Sequence, residues 1–157
     1  MLNGHCKCKS GNQVVSYSEQ QIDDWLYDFG LRAIYEPEIP VATEAGYLLP
    51  DWLLLPQQGL TKPVIIEYWG LLRTDNRAEW VEARLPRYLE KKHFKETIYQ
   101  ELDDYHYLGI LPENLSEQWL ARTLQEIGWK GNPLYQNSEP EIRTATDWKF
   151  RIYRKQT

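Results

Sequence analysis

Three carboxylates stand among apolar residues in separate stretches of the chain. Asp51 interrupts the Leu-rich run YLLPDWLLLP at residues 47–56, and Glu67 follows the apolar half of PVIIEYWG at residues 63–70. Glu19 lies on the side of a predicted helix that is otherwise apolar. A buried carboxylate costs several kcal/mol unless a partner compensates its charge. The three acids therefore predict either buried cationic partners or a bound cation.

Two kinds of partner would compensate these acids. Arginines such as Arg32, Arg73 or Arg84 would give a purely structural network of ion pairs. A divalent cation is the alternative, because carboxylate oxygens are the hard ligands that Mg²⁺ prefers. Such an ion leaves room for a phosphate and would assist phosphodiester hydrolysis by polarising a phosphoryl oxygen and lowering the pKa of a water. Spacing alone leaves both interpretations open.

The first element that must position these acids is a helix over SYSEQQIDDWLYDFG, residues 16–30. Ser16 and Glu19 form the pattern of a capping box, and Gly30 provides the stop. Four apolar residues share one face of this helix at i, i+3, i+4 and i+7, namely Ile22, Trp25, Leu26 and Phe29. Glu19 stands three residues before the first of them, so the helix directs its carboxylate inward.

Three strands are predicted next, at residues 32–40, 46–56 and 63–69. The first ends at its C-terminal proline. The connection between the second and third strands is so short that they should pair as an antiparallel hairpin. That pairing would bring Asp51 and Glu67 close together.

The remaining elements alternate between helix and strand. A long helix over residues 74–105, with a break near Pro86, precedes a strand at 105–111 and a capped amphipathic helix at 116–128. A strand, a helix and a further strand in this order favour a right-handed parallel crossover. The order is helix, three strands, helix, strand, helix, so we predict an α/β domain with a mixed central sheet flanked by helices.

Residues 16–128 hold this predicted core. Residues 1–15 are predicted to form a flexible or zinc-ribbon-like segment, and residues 129–157 a C-terminal extension of loop plus a basic strand or tail. The N-terminal segment carries three potential zinc ligands, His5, Cys6 and Cys8. A zinc site needs about four ligands, so this motif is more typical of a flexible terminus or a ribbon remnant than of a working site.

The composition is that of a folding chain, since 42% of the 157 residues are hydrophobic. No apolar stretch approaches the roughly 20 residues that span a bilayer, and the N-terminus lacks the apolar core of a signal peptide. We therefore expect a cytoplasmic protein without a membrane partner. The net charge of −5 argues against a protein that coats nucleic acid non-specifically. Five cations nevertheless cluster on the long helix: Arg84, Arg87, Lys91, Lys92 and Lys95.

Four short motifs follow one another along residues 16–115, roughly two thirds of the chain. They are SYSEQQIDDWLYDFGLRAIYE, LPDWLLL, VIIEYWG and YLEKKHFKETIY, the last spacing Tyr88, Lys95 and Tyr99 as Tyr-x6-Lys-x3-Tyr. In this order they resemble the PD-(D/E)XK nuclease superfamily, and most closely a branch fused to helicases and found in small stand-alone proteins. The resemblance implies a restriction-endonuclease-like core and a metal-dependent DNA endonuclease that hydrolyses phosphodiester bonds.

The resemblance also implies a metal shell. Asp51, Glu67 and the backbone carbonyl of Tyr68 would bind Mg²⁺, for which Mn²⁺ would substitute. Glu19 would complete the shell or orient a water. With the catalytic lysine described next, Glu19, Asp51 and Glu67 would form the catalytic set.

Trp69 stands where the superfamily has its catalytic lysine, and a tryptophan can neither position an attacking water nor offset negative charge. The branch takes that lysine from the following helix, which implies Lys95 here, with Lys92 and then Lys91 as the next choices. The candidate nucleic-acid-binding residues are Lys91, Lys92, Arg87 and Arg84.

An alternative is a catalytically inactive module with a nuclease fold, binding nucleic acid or a protein partner. The lysine missing at position 69 and the negative net charge favour it, whereas three intact inward acids weigh against it. In either case DNA is the expected partner, with a helicase or mobile-element protein complex and a homodimer as further candidates.

Overall fold

The computed structural model describes residues 6–38, 40–72 and 78–131. Its strands are β1 (Cys6–Lys7), β2 (Gln13–Val14), β3 (Ala33–Tyr35), β4 (Val41–Thr43), β5 (Gly46–Leu48), β6 (Trp52–Leu54), β7 (Val64–Tyr68) and β8 (His106–Ile110). Its helices are α1 (Tyr17–Asp28), α2 (Glu79–Gln100) and α3 (Glu117–Glu126). His5, Arg73 and residues 132–157, on which some expectations rest, lie outside the described residues.

A four-stranded mixed sheet organises the fold, with the strand order β3-β6-β7-β8. β6 pairs antiparallel with both β3 and β7, whereas β7 and β8 run parallel across the connection that contains α2. The hairpin between β6 and β7 and the parallel pairing of β7 with β8 are as predicted. The mixed α/β class is confirmed.

Helices cover both faces of this sheet, and the alternation of side chains along β7 shows how. Ile66 points into a core shared with Leu26 of α1 and Leu124 of α3. Its neighbour Ile65 points to the other face, where it packs with Tyr99 of α2. The first four residues of β7 are buried, as is typical of a central strand covered on both sides.

The capping box predicted for α1 is confirmed. The Glu19 backbone N–H donates to Ser16 Oγ at 3.1 Å, and the Glu19 side chain in turn accepts from the Val15 N–H at 3.1 Å. Gly30, with φ of 78°, follows the last turn of the helix. Glu19 therefore contributes to the start of the helix whatever else its carboxylate does.

Two strands are shorter in the structure than the sequence predicts. The stretch at 46–56 is two elements, because Pro50 has no N–H to continue a ladder, so β5 pairs with β4 in a separate hairpin and only β6 joins the central sheet. The strand at 32–40 ends at Tyr35, since Glu36 takes a left-handed conformation with φ of 44° that turns the chain.

The break predicted near Pro86 is also wrong, because α2 runs through this proline without interruption. Pro86 is exposed, so the helix meets solvent and not a packed element at this residue. Within the described ranges, none of the helices combines the length and the apolar character needed to cross a membrane.

The N-terminal hairpin of β1 and β2 packs on α1 and buries Val14 completely. It is tied down by Asp23, which is 1% exposed. This carboxylate accepts hydrogen bonds from Ser10 Oγ at 2.6 Å, Asn12 Nδ2 at 2.8 Å and Trp52 Nε1 at 2.9 Å. Asp23 thus joins the hairpin, α1 and β6 at one buried point.

We expect Asp23→Ala to lower the free energy of unfolding by about 2–4 kcal/mol, because it leaves a buried indole N–H and two further donors without their acceptor. Urea denaturation monitored by circular dichroism measures this change. Asp104→Ala removes an exposed carboxylate and should change stability by less than about 0.5 kcal/mol. Equal losses in the two variants would contradict the structural role of Asp23.

Candidate active site

A cavity of about 600 Å³ opens where α1, β7, α2 and the loops before β4 and β6 meet. Its charged lining consists of five acids and two lysines, namely Glu19, Glu36, Glu38, Asp51, Glu67, Lys91 and Lys95. The cavity therefore carries an excess of negative charge. All three acids singled out in the sequence contribute to this one cavity.

Asp51 and Glu67 come together because of the antiparallel register of β6 and β7. Trp52 lies opposite Ile66 in this antiparallel pair. Asp51, which precedes Trp52, therefore lies across from Glu67, which follows Ile66. The Tyr68 backbone N–H donates to Asp51 Oδ2 at 2.8 Å and so orients the carboxylate. The two acids lie at the same end of the same strand pair.

Glu67 is held by two groups from α2. Its side chain is buried, and Glu67 Oε2 lies 2.6 Å from Lys95 Nζ and accepts from the Tyr99 hydroxyl at 3.0 Å. Burial, followed by the nearby charge of Asp51, raises the pKa of Glu67 to about 7 in spite of the lysine. A single cation thus compensates this acid incompletely.

Lys95 is the one buried lysine among the residues that the structure describes, with 8% of the residue exposed. Its Nζ also donates to the Leu49 carbonyl at 3.0 Å, which anchors the side chain between the sheet and the loop before β6. Tyr88, two turns of helix earlier on the same stripe, lines the cavity as well. The stripe of Tyr88, Lys95 and Tyr99 therefore faces the sheet, as its spacing indicates.

The pKa values of Asp51 and Glu19 are raised as well, in both cases mainly by burial. Hydrogen bonds oppose the shift, from the Tyr68 N–H to Asp51 and from Val15 N–H and the Tyr35 hydroxyl to Glu19. Burial outweighs these opposing interactions, so the ionised forms of both acids are compensated incompletely.

The oxygens of Glu19, Asp51 and Glu67 do not all lie within 4.8 Å of one another. Among the described residues, the trio of metal-ligand types that meets this distance is Cys8, Asp23 and Asp24, outside the cavity. Because the Asp23 carboxylate already accepts three hydrogen bonds, that trio is explained by packing. In the cavity, Asp51 and Glu67 lie at the same end of the β6–β7 strand pair, and Glu19 is contributed by α1.

Two of the three arginines considered as structural partners do not line the cavity. Arg32 and Arg84 are exposed elsewhere on the surface. Arg73 lies outside the described residues. A buried arginine network therefore does not compensate these acids in the part of the chain that the structure describes.

Two acids of the cavity, Glu36 and Glu38, were missed in the sequence. They follow β3 in the run YEPE, and the Glu36 backbone N–H donates to the Asp51 carbonyl at 2.9 Å. This bond attaches the left-handed turn to the loop that carries Asp51. The available signal was the pair of acids flanking a proline directly after a strand.

The candidate lysines occupy different surroundings. Lys92 Nζ bonds Glu96 at 2.8 Å along the helix, and it does not line the cavity, whereas Lys91 does. Trp69 is 3% exposed, and its indole N–H donates to the Tyr107 hydroxyl at 3.0 Å. Trp69 is therefore a packed side chain in the wall of the cavity.

Comparison of the chain with protein-family models, with curated proteins and with solved structures found no match. The function must therefore be argued from the site itself. Its chemistry is that of hard oxygen ligands and one fixed ammonium group, in an open cavity where acids outnumber lysines. Such a donor set fits a divalent cation of the Mg²⁺ or Mn²⁺ type.

Proposed function

We propose that the protein is a metal-dependent DNA endonuclease with a restriction-endonuclease-like core, hydrolysing phosphodiester bonds in this cavity. The observation that carries the proposal is the arrangement around Glu67. A buried carboxylate stands beside Asp51, with an ammonium group 2.6 Å away, in a cavity where five acids face two lysines. This hydrolysis requires acids that bind a cation and a fixed lysine beside them.

In this proposal Asp51, Glu67 and the backbone carbonyl of Tyr68 hold Mg²⁺ or Mn²⁺, and Glu19 orients a water at the edge of the site. The cation would supply a Lewis acid for a phosphoryl oxygen and would lower the pKa of a water. The excess of acids in the cavity supports such a ligand, since divalent charge would relieve the raised pKa values of Asp51 and Glu67.

Lys95 is the proposed catalytic lysine. Glu67 and the Leu49 carbonyl fix its Nζ at the wall of the cavity, so its charge is oriented before a substrate arrives. There it would hold the attacking water by a hydrogen bond and offset the negative charge that develops on the phosphoryl oxygens. Tyr99 maintains this geometry by donating to the same Glu67 oxygen.

DNA is the proposed substrate, and the protein works within a helicase or mobile-element complex or as a homodimer. The formal net charge of −5 supports a partner that contributes part of the DNA-binding surface. A second copy would supply the second site needed to cut both strands of a duplex.

Incubation of the purified protein with plasmid, branched and single-stranded DNA tests the proposal. We expect cleavage in Mg²⁺ or Mn²⁺, none in EDTA, and a metal-induced rise in melting temperature because the cation binds the folded state. Absence of cleavage on every substrate would overturn the proposed nuclease activity. A metal-induced rise without cleavage would instead favour the inactive, metal-retaining module.

A further inference from the structure

One exposed line of α2 leads to the cavity. Trp80, Arg84, Arg87 and Lys91 are spaced by four, three and four residues, so they lie one above another on the same side of the helix. We refer to these four residues as the α2 stripe. All four are exposed, and Lys91 also lines the cavity. The α2 stripe extends over about 16 Å, from Trp80 to the mouth of the proposed active site.

The charge of the α2 stripe complements a phosphodiester backbone. A polyanion that enters a cavity with five acids and two lysines, Lys91 among them, meets repulsion, and Arg84 and Arg87 along the approach would help to offset it. Arginine and lysine are the side chains that most often bind phosphates. The α2 stripe is therefore suited to hold a DNA strand beside the cavity.

The aromatic end of the α2 stripe indicates which form of DNA it fits. Trp80 is 56% exposed, and the Arg84 guanidinium carbon lies 5.5 Å from its ring centroid. Phe94, close to one turn beyond Lys91, is 50% exposed. Exposed aromatic rings bind nucleic acid by stacking on base faces, which a duplex keeps within its own stack and a single strand presents.

We propose that the α2 stripe binds a single-stranded segment of DNA, with a base stacked on Trp80 and the phosphates on Arg84, Arg87 and Lys91. The strand then passes into the cavity, so that the substrate is DNA with a single-stranded portion. This inference rests on the proposed nuclease function and names the substrate class for the same site.

Fluorescence anisotropy in EDTA tests the binding without cleavage, using a labelled oligothymidylate and a blunt duplex of equal length. We expect the single strand to bind at least about tenfold tighter than the duplex. Trp80→Ala should weaken single-strand binding about tenfold or more, in line with the effect of removing one stacked base, and Trp80→Phe should retain most of the affinity. Tyr17→Ala, which removes another exposed aromatic residue, on α1, should leave the affinity unchanged.

The salt dependence tests the phosphate contacts separately. Each contact to a single strand contributes about 0.7 to the slope of log K against log salt concentration, so Arg84→Gln with Arg87→Gln should flatten the slope by about 1.4. Lys7→Gln with Arg122→Gln changes the net charge equally, on elements away from α2, and should preserve the slope.

Equal affinity for duplex and single strand, an unaffected Trp80→Ala variant, or equal slopes in the two double variants would each overturn the inference. These readouts are independent of catalysis. If wild type cleaves a blunt duplex and Trp80→Ala does so equally well, the nuclease stands and the single-strand inference fails. If the binding results are as expected while cleavage is absent on every DNA, the nuclease fails.

Discussion

Asp51→Asn is expected to abolish metal-dependent cleavage, with a loss in rate on the order of 10³-fold or more. The substitution keeps the shape of the side chain and an oxygen that can accept the hydrogen bond from the Tyr68 N–H, which is 2.8 Å long in the wild type. It removes the charge that would hold the cation. Initial rates of plasmid nicking in Mn²⁺ measure the effect.

The matched control is Glu38→Gln. Glu38 is another acid of the same cavity, exposed rather than oriented by a hydrogen bond to β7. Glu38→Gln removes one negative charge, as Asp51→Asn does, but it removes no proposed metal ligand. Its rate of cleavage should therefore fall by less than about tenfold, as for the loss of a neighbouring charge. If the two variants lose activity equally, general charge in the cavity, and not ligation by Asp51, would explain the result.

Asp51→Asn should also raise the melting temperature of the metal-free protein at pH 8. The pKa of Glu67, about 7 in the folded state, lies above its ordinary value of 4.5, partly because of Asp51. A raised folded-state pKa means that the stability contributed by Glu67 is complete below pH 4.5 and is lost as the pH rises to about 7. Removing the charge of Asp51 recovers part of that loss.

We expect this gain to be a few degrees at pH 8, for roughly 1 kcal/mol in a domain of this size, and smaller at pH 5. The rise in melting temperature that Mn²⁺ causes in the wild type should disappear in Asp51→Asn. Thermal denaturation at both pH values, with and without Mn²⁺, checks both statements. A lower melting temperature of the variant at pH 8 would contradict the electrostatic account.

Lys95→Met is expected to reduce kcat for cleavage by a factor on the order of 10² to 10³ while binding of Mn²⁺ persists. Methionine retains much of the aliphatic stem but loses the ammonium group that lies 2.6 Å from Glu67. The proposed metal ligands remain. Single-turnover kinetics together with the Mn²⁺-induced rise in melting temperature separate the two effects.

Lys92→Met is the control for this variant. Lys92 is three residues earlier on α2 and bonds Glu96 instead of a cavity residue. We expect its rate of cleavage to stay within about tenfold of wild type, as for a group that does not contact the reacting atoms. Loss of cleavage in Lys92→Met with an active Lys95→Met would assign the catalytic lysine to Lys92.

Much of the framework could be predicted because its determinants are local. Ser16 and Glu19 cap α1 through contacts within four residues, and the connection between β6 and β7, residues 55–63, is too short for a parallel crossover. The limits of the strands were less predictable. Glu36 adopts its left-handed turn beside the loop that carries Asp51, and no local sequence pattern predicts that contact.

The sequence by itself determined the α/β class, the helix cap, the β6–β7 hairpin and the inward direction of Glu19, Asp51 and Glu67, because spacing along one or two elements controls them. Only the tertiary structure decided how the charges meet. Lys95 bonds the Leu49 carbonyl across 46 residues, and Tyr99 bonds Glu67 across 32. Such contacts, and the burial that shifts the pKa of Glu67, depend on how α2 packs over the sheet, which no short stretch of sequence encodes.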